Sequence, residues 1–170
     1  MTRSTLTLHT LESPYGTLML VGSPDGLRAV LWPDDEPARV GLANVNLESG
    51  SSGVLDEVAG QLEEYFAHGR TSFDLPLDLH GTPFQLAAWE ALAAIPYGET
   101  RTYAEQAARV GRPNAARAIG AANGRNPISI VLPCHRVVGS DGALTGFAGG
   151  IEVKAALLAF EHAHASRTTR

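Results

Sequence analysis

The sequence predicts an α+β protein: a small N-terminal domain of antiparallel sheet plus one helix over residues 1–75, then a mainly helical C-terminal domain over residues 80–165 that contains a helix-turn-helix. Three observations predict it. Apolar and polar residues alternate up to Trp32, as half-buried strands require; from Val54 the apolar spacing turns helical; and the charge changes sign between the halves. The net charge of −5 hides that change. Residues 1–80 carry four arginines against twelve acids (−8), whereas residues 81–170 carry nine lysines and arginines against six acids (+3).

The alternating runs at 5–11, 17–22 and 27–32 are separated by Ser13-Pro14-Tyr15-Gly16 and Ser23-Pro24-Asp25-Gly26, which predicts an antiparallel meander. Residues 33–53 are rich in Pro, Gly, Asn and acids without a sustained period, so a mobile loop is expected. Val54, Leu55, Val58, Leu62, Tyr65 and Phe66 then fall at helical spacing with Glu57, Glu63 and Glu64 outside, and Gly69 supplies a stop. That helix should cover one face of the sheet.

An extended connector leads to Thr82-Pro83, a helix start whose stripe of Phe84, Ala87, Ala88 and Leu92 ends at Ile95-Pro96-Tyr97-Gly98. Thr102 to Glu105 fits a capping box and opens a short helix that stops at Gly111. Arg112-Pro113 starts another, stopped at Asn123-Gly124, and the pair has the proportions of a helix-turn-helix. The second helix offers Ala115, Ala116, Ala118, Gly120, Ala121 and Ala122 around one long polar side chain, Arg117. Small side chains admit a close approach, either to a packed neighbour or to the floor of a DNA minor groove. Six arginines (101, 109, 112, 117, 125 and 136) against Glu105 alone between 101 and 136 tip that choice toward phosphate.

One cysteine excludes an internal disulfide and a cysteine-built zinc site, and the six histidines have no ligand spacing, so neither metal nor cofactor is expected. No apolar run is long enough to span a membrane, and the N-terminus alternates instead of forming a leader's apolar block; a cytoplasmic protein is the expectation. The cysteine, Cys134, follows the apolar run Ile128-Ser-Ile-Val-Leu132, read as a buried strand, and Pro133. A lone cysteine is commonly a small core residue. Here His135 and Arg136 follow it, and such neighbours lower a thiol's pKa toward a reactive thiolate. The histidine is equally compatible with a plain surface position. Downstream, the five glycines between 139 and 150 predict a turn and a closely approaching loop, and residues 151–165 a helix burying Ile151, Leu157, Leu158 and Phe160.

"NPISIVLPCHRVV", "GFAGG" and "KAALLAFE", preceded by "IPYGETRTYAEQA" and "AARAIGAANGRNP", resemble the O6-alkylguanine-DNA alkyltransferases continuously over about residues 80–162. The first 75 residues resemble that family in layout only. The resemblance implies direct, stoichiometric repair of duplex DNA carrying O6-alkylguanine. Cys134 would accept the alkyl group, His135 would take the thiol proton through a water, and Glu161 would fix the imidazole. Asn126 would tie the thiol loop to the recognition helix, and Tyr103 would hydrogen-bond the guanine as charge develops. Main-chain groups of Cys134, Val137 and Ala148, with Phe147 and Gly149, would form the base pocket. Arg117 would enter the stack as the nucleotide flips out, while Ala115, Ala116, Ala118, Gly120 and Ala121 lie in the minor groove.

The resemblance further implies a monomer in solution, with several copies along DNA as an open possibility. Phe147-Ala148 departs from the Tyr-Ser of many relatives, which removes two hydroxyls from the pocket. Lys154 matches a lysine that helps place the glycine loop, or is a solvated helix charge. The acidic first half should support the site and repel DNA. Three other functions compete: a Cys/His thiol hydrolase, for which adjacent residues form an awkward pair; a lesion-binding module without transfer, whose known forms lack the cysteine; and a helix-turn-helix regulator with an incidental cysteine, which fits the arginines but leaves the alanine face unexplained.

Overall fold

Each alternating run forms a strand. The computed structural model describes residues 5–168 and divides into two units, Met1–Leu79 and His80–Arg170. The first four residues of the expected N-terminal domain, with Arg3, and Arg170 of the charge count lie outside the described residues.

In the first unit β1 (Leu6–Ser13), β2 (Gly16–Ser23) and β3 (Gly26–Leu31) form an antiparallel meander. Both hairpins close over two residues. Ser13 donates to the carbonyl of Gly16 (2.6 Å) while its hydroxyl accepts from the Tyr15 N–H (3.1 Å), and Gly16 takes φ = 105°, a conformation that suits glycine. On β2, Val21 packs into one hydrophobic cluster and Gly22 lies under Leu55 of α1 (Gly53–Phe66), so alternation buries residues on both faces.

The face opposite α1 is covered by the segment expected to be a loop. Residues 33–53 contain a 3-10 turn, Pro37–Val40, and a short strand, β4 (Leu47–Ser49), that pairs in parallel with β1 and completes the order β3-β2-β1-β4. Leu42, buried, and Val40, Val45 and Leu47, partly buried, pack against Val21, Ala29 and Leu31. The segment expected to be a loop thus carries a turn and a strand: a sheet apolar on both faces needs a second cover, and a 3-10 turn has no 3.6-residue period to display. Ser52 caps α1 by accepting from the Leu55 N–H, and the helix ends before the predicted Gly69 stop, with His68 at φ = 63°.

In the second unit α2 (Pro83–Ala93) begins with a complete capping box between Thr82 and Gln85. β5 (Arg101–Thr102) runs directly into α3 (Tyr103–Arg109), and after a turn at Gly111 comes α4 (Ala116–Gly124). This helix starts three residues later than Pro113 suggests, because residues 112–115 close a turn first, Ala115 N–H donating to the Arg112 carbonyl at 2.9 Å. Ala88, Ala107, Ile119 and Ala122 form the core of the helix-turn-helix. Buried amides lock it: Gln106 and Asn123 exchange two hydrogen bonds (2.9 and 2.8 Å), Gln106 also donates to Ala88, and the Trp89 indole donates to Ala122. β6 (Val137–Val138) pairs in parallel with β5, which sets Tyr103 beside the segment that follows Cys134. The last helix, α5, spans Ile151–Thr168. Among the described residues no helix is long and apolar enough to cross a membrane.

Candidate active site

Ile128, Ser129, Ile130 and Leu132 are buried and Val131 is partly buried, yet these residues are not the predicted strand. They form consecutive turns: Val131 N–H donates to Ser129 and Leu132 N–H to Ile128, with Ile130 at φ = 73°. A left-handed β-branched residue is unfavourable, so surrounding structure must hold it. Asn126 does much of this. Its side chain, fully buried, accepts from the Ile128 N–H (3.0 Å) and donates to the Leu132 carbonyl (2.8 Å), closing residues 126–132 into one ring of contacts. Pro133 and a 3-10 turn, Cys134–Arg136, follow, and Cys134, buried at 9% exposure, takes the first position of that turn.

His135 is wholly buried, which excludes the surface-histidine alternative. Its Nε2 is 2.8 Å from Glu161 Oε2, and its buried Nδ1 has no hydrogen-bond partner among the described residues. Glu161, on α5, is also gripped by Arg136, with Nε on Oε1 at 2.7 Å and a terminal nitrogen on Oε2 at 3.0 Å. Arg136 spends its remaining fork on the Ile95 carbonyl (2.7 Å) and lies over the Tyr97 ring. Burial alone would raise the Glu161 carboxyl; hydrogen bonds from His135 and Arg136, with their charges, outweigh it and hold the group at about 2. Burial lowers the imidazole of His135 below 6.5, Glu161 opposes, and Arg136 and Lys154 add to the lowering. A neutral histidine oriented by an ionised carboxylate is the result.

Lys154 is fully buried, so the solvated-charge alternative does not hold. Its Nζ donates to the carbonyls of Val137 (2.6 Å) and Thr145 (3.0 Å). Burial lowers its pKa while interaction with Cys134 raises it.

A cavity of about 510 Å³ is lined by Tyr103, Ala116, Arg117 and Gly120 of the predicted residues, together with Thr145, Ser140 and others. The Tyr103 hydroxyl reaches Thr145 at its carbonyl (3.1 Å) and at Oγ1 (3.3 Å). On α4, Arg117, Ala118 and Ala121 are exposed and Ala116 and Gly120 half-buried, while Ala115 precedes the helix as its N-cap. Arg117 has no hydrogen bond or ion pair among the described residues. The remaining pocket candidates lie outside this lining: Val137 is buried, Phe147 sets its ring edge-on to His135 at 6.5 Å, Gly149 is half-buried and Ala148 exposed. Cys134 is likewise not among the lining residues. Among the described residues no group of three His, Cys, Asp or Glu side chains is placed to hold a metal.

Residues 83–163 match the 6-O-methylguanine DNA methyltransferase DNA binding domain, and residues 6–79 match the ribonuclease-like domain of the same proteins. The chain belongs to the 6-O-methylguanine DNA methyltransferase family. Among its relatives, methylated-DNA–protein-cysteine methyltransferases from Mycobacterium leprae and Methanosarcina barkeri are each 47% identical, the first covering 90% of both chains and the second 89% of this chain and 94% of its own. The crystal structure of Mycobacterium tuberculosis OGT in complex with DNA superposes with a TM-score of 0.82 at 43% identity, covering 94% of each chain. In this family member, the sequence cast Arg136 as a positive neighbour of the thiol and not as the partner of Glu161, gave no role to Thr145 and left Lys154 open. A signal for Lys154 was present: with Leu157 and Glu161 it follows i, i+3, i+7, one stripe of α5, and all three are buried.

Proposed function

We propose that the protein repairs duplex DNA by moving the alkyl group of O6-alkylguanine onto Cys134, once per molecule. The observation that carries this reading is the buried line Arg136–Glu161–His135 beside a lone thiol. Glu161 fills Nε2 and leaves the Nδ1 of a neutral imidazole to take the thiol proton through a water. Lys154 stabilises the resulting thiolate. Sulfur attacks the alkyl carbon, the carbon–oxygen bond breaks, and the guanine departs with its charge relieved by a hydrogen bond from Tyr103. The thioether carries no acyl group for water to attack, so the thiol is consumed.

Access requires the nucleotide to leave the stack, at a cost of a few kcal/mol. The outward face of α4 supports this step: small residues allow a close approach to the minor groove, and the unpaired Arg117 is free to occupy the space left by the base. The DNA complex of the Mycobacterium tuberculosis relative supports DNA as the partner.

Incubation with excess duplex DNA containing O6-methylguanine, followed by peptide mass spectrometry, should find one added methyl group, on the peptide holding Cys134. Cys134→Ser should abolish it. Repeated turnover, or methyl loss from DNA with Cys134 unmodified, would overturn the proposal.

A further inference from the structure

We propose that Thr145 is a positioning residue for the Tyr103 hydroxyl, holding it at the cavity wall and donating to its oxygen when its proton turns to the bound base. The inference rests on the transfer reaction proposed above. A tyrosine hydroxyl has one proton and accepts through its oxygen. That proton is given to the Thr145 carbonyl, so the contact at 3.3 Å is left for Thr145 Oγ1 to donate. Both groups line the cavity that Arg117 and Gly120 also border.

The arrangement makes the phenolic proton easy to release. The Thr145 carbonyl also accepts from the buried ammonium of Lys154, itself anchored on Val137, and therefore keeps a partner when Tyr103 turns away. The Oγ1 donor stays with the phenolic oxygen and offsets the negative charge gathering there as the proton moves toward the departing guanine. The glycine loop thus contributes chemistry through one hydroxyl whose effect passes entirely through Tyr103.

The test is a single-turnover cycle on duplex DNA with O6-methylguanine, measuring the transfer rate at saturating protein separately from the dissociation constant for DNA. Thr145→Val should slow transfer about fivefold, the worth of one neutral hydrogen bond, with DNA affinity unchanged. Thr145→Ser should restore the rate. Tyr103→Phe should slow transfer at least as much, and the double variant should be no slower than Tyr103→Phe alone. The side chain of Thr145 is exposed, so the fold should survive, and Thr145→Ala should repeat the valine result. A wild-type rate in Thr145→Val, multiplicative losses in the double variant, or a loss of DNA affinity matching the loss of rate would overturn the assignment. So would a wild-type rate in Tyr103→Phe. Absence of methyl transfer to Cys134 in the unaltered protein would instead overturn the underlying reaction.

Discussion

Both oxygens of Glu161 are occupied, and removing either partner has a different consequence. Arg136→Met leaves a carboxylate buried with half its compensation, and loss of one member of a buried ion pair costs about 3–5 kcal/mol. Urea unfolding should register that loss, with Arg136→Lys recovering part of it. The pH dependence follows from His135 and Glu161. Above pH 6.5 the imidazole is neutral whether folded or unfolded. As pH falls below 6.5 the unfolded chain binds a proton that the folded state resists, so stability declines; a second decline begins below 4.5, as protonation of the unfolded Glu161 outruns the folded group held at about 2. The urea midpoint should trace both steps, and His135→Gln should remove the first.

At the scale of elements, Gly26 shows how closely the connector is fitted. With φ = 152°, its backbone passes where an added Cβ would stand 2.5 Å from the Pro76 carbonyl, and Leu27 and Pro76 share a hydrogen bond beside it. Gly26→Ala should therefore cost more than 1 kcal/mol in thermal unfolding, whereas Thr82→Ala, which removes a cap on α2, should cost about 1 kcal/mol. The three meander strands and the helices were legible because alternation and helical spacing are written in their side chains, whereas the short strands β4, β5 and β6 carry too few residues to show a period. Residues 128–132 were not: an apolar run reads the same whether it lies in a strand or in a buried turn, and what distinguishes them is the amide of Asn126. The site divides in the same way. Cys134 and His135 stand together in the sequence, but the grip of Arg136 on Glu161 exists only once α5 is packed.

At the scale of the molecule, a net charge of −5 coexists with the proposed affinity for DNA because the two halves carry −8 and +3. Binding should weaken steeply as salt rises, each phosphate contact adding about 0.9 to the slope of log affinity against log salt. Arg117→Ala should change that slope little if the side chain enters the stack instead of pairing with phosphate. It should impair reaction in duplex DNA more than reaction with the free alkylated base, and equal losses would count against the wedge role.

The ring of contacts that Asn126 closes is local: its side-chain bonds reach two and six residues ahead, whereas Glu161 lies 26 residues beyond His135. The carboxylate thus comes to the imidazole from a separate element. A chain whose final helix was undocked would keep the Asn126 bonds within reach but leave His135 without the acceptor that fixes its tautomer, so proton uptake by the histidine depends on the docking of α5.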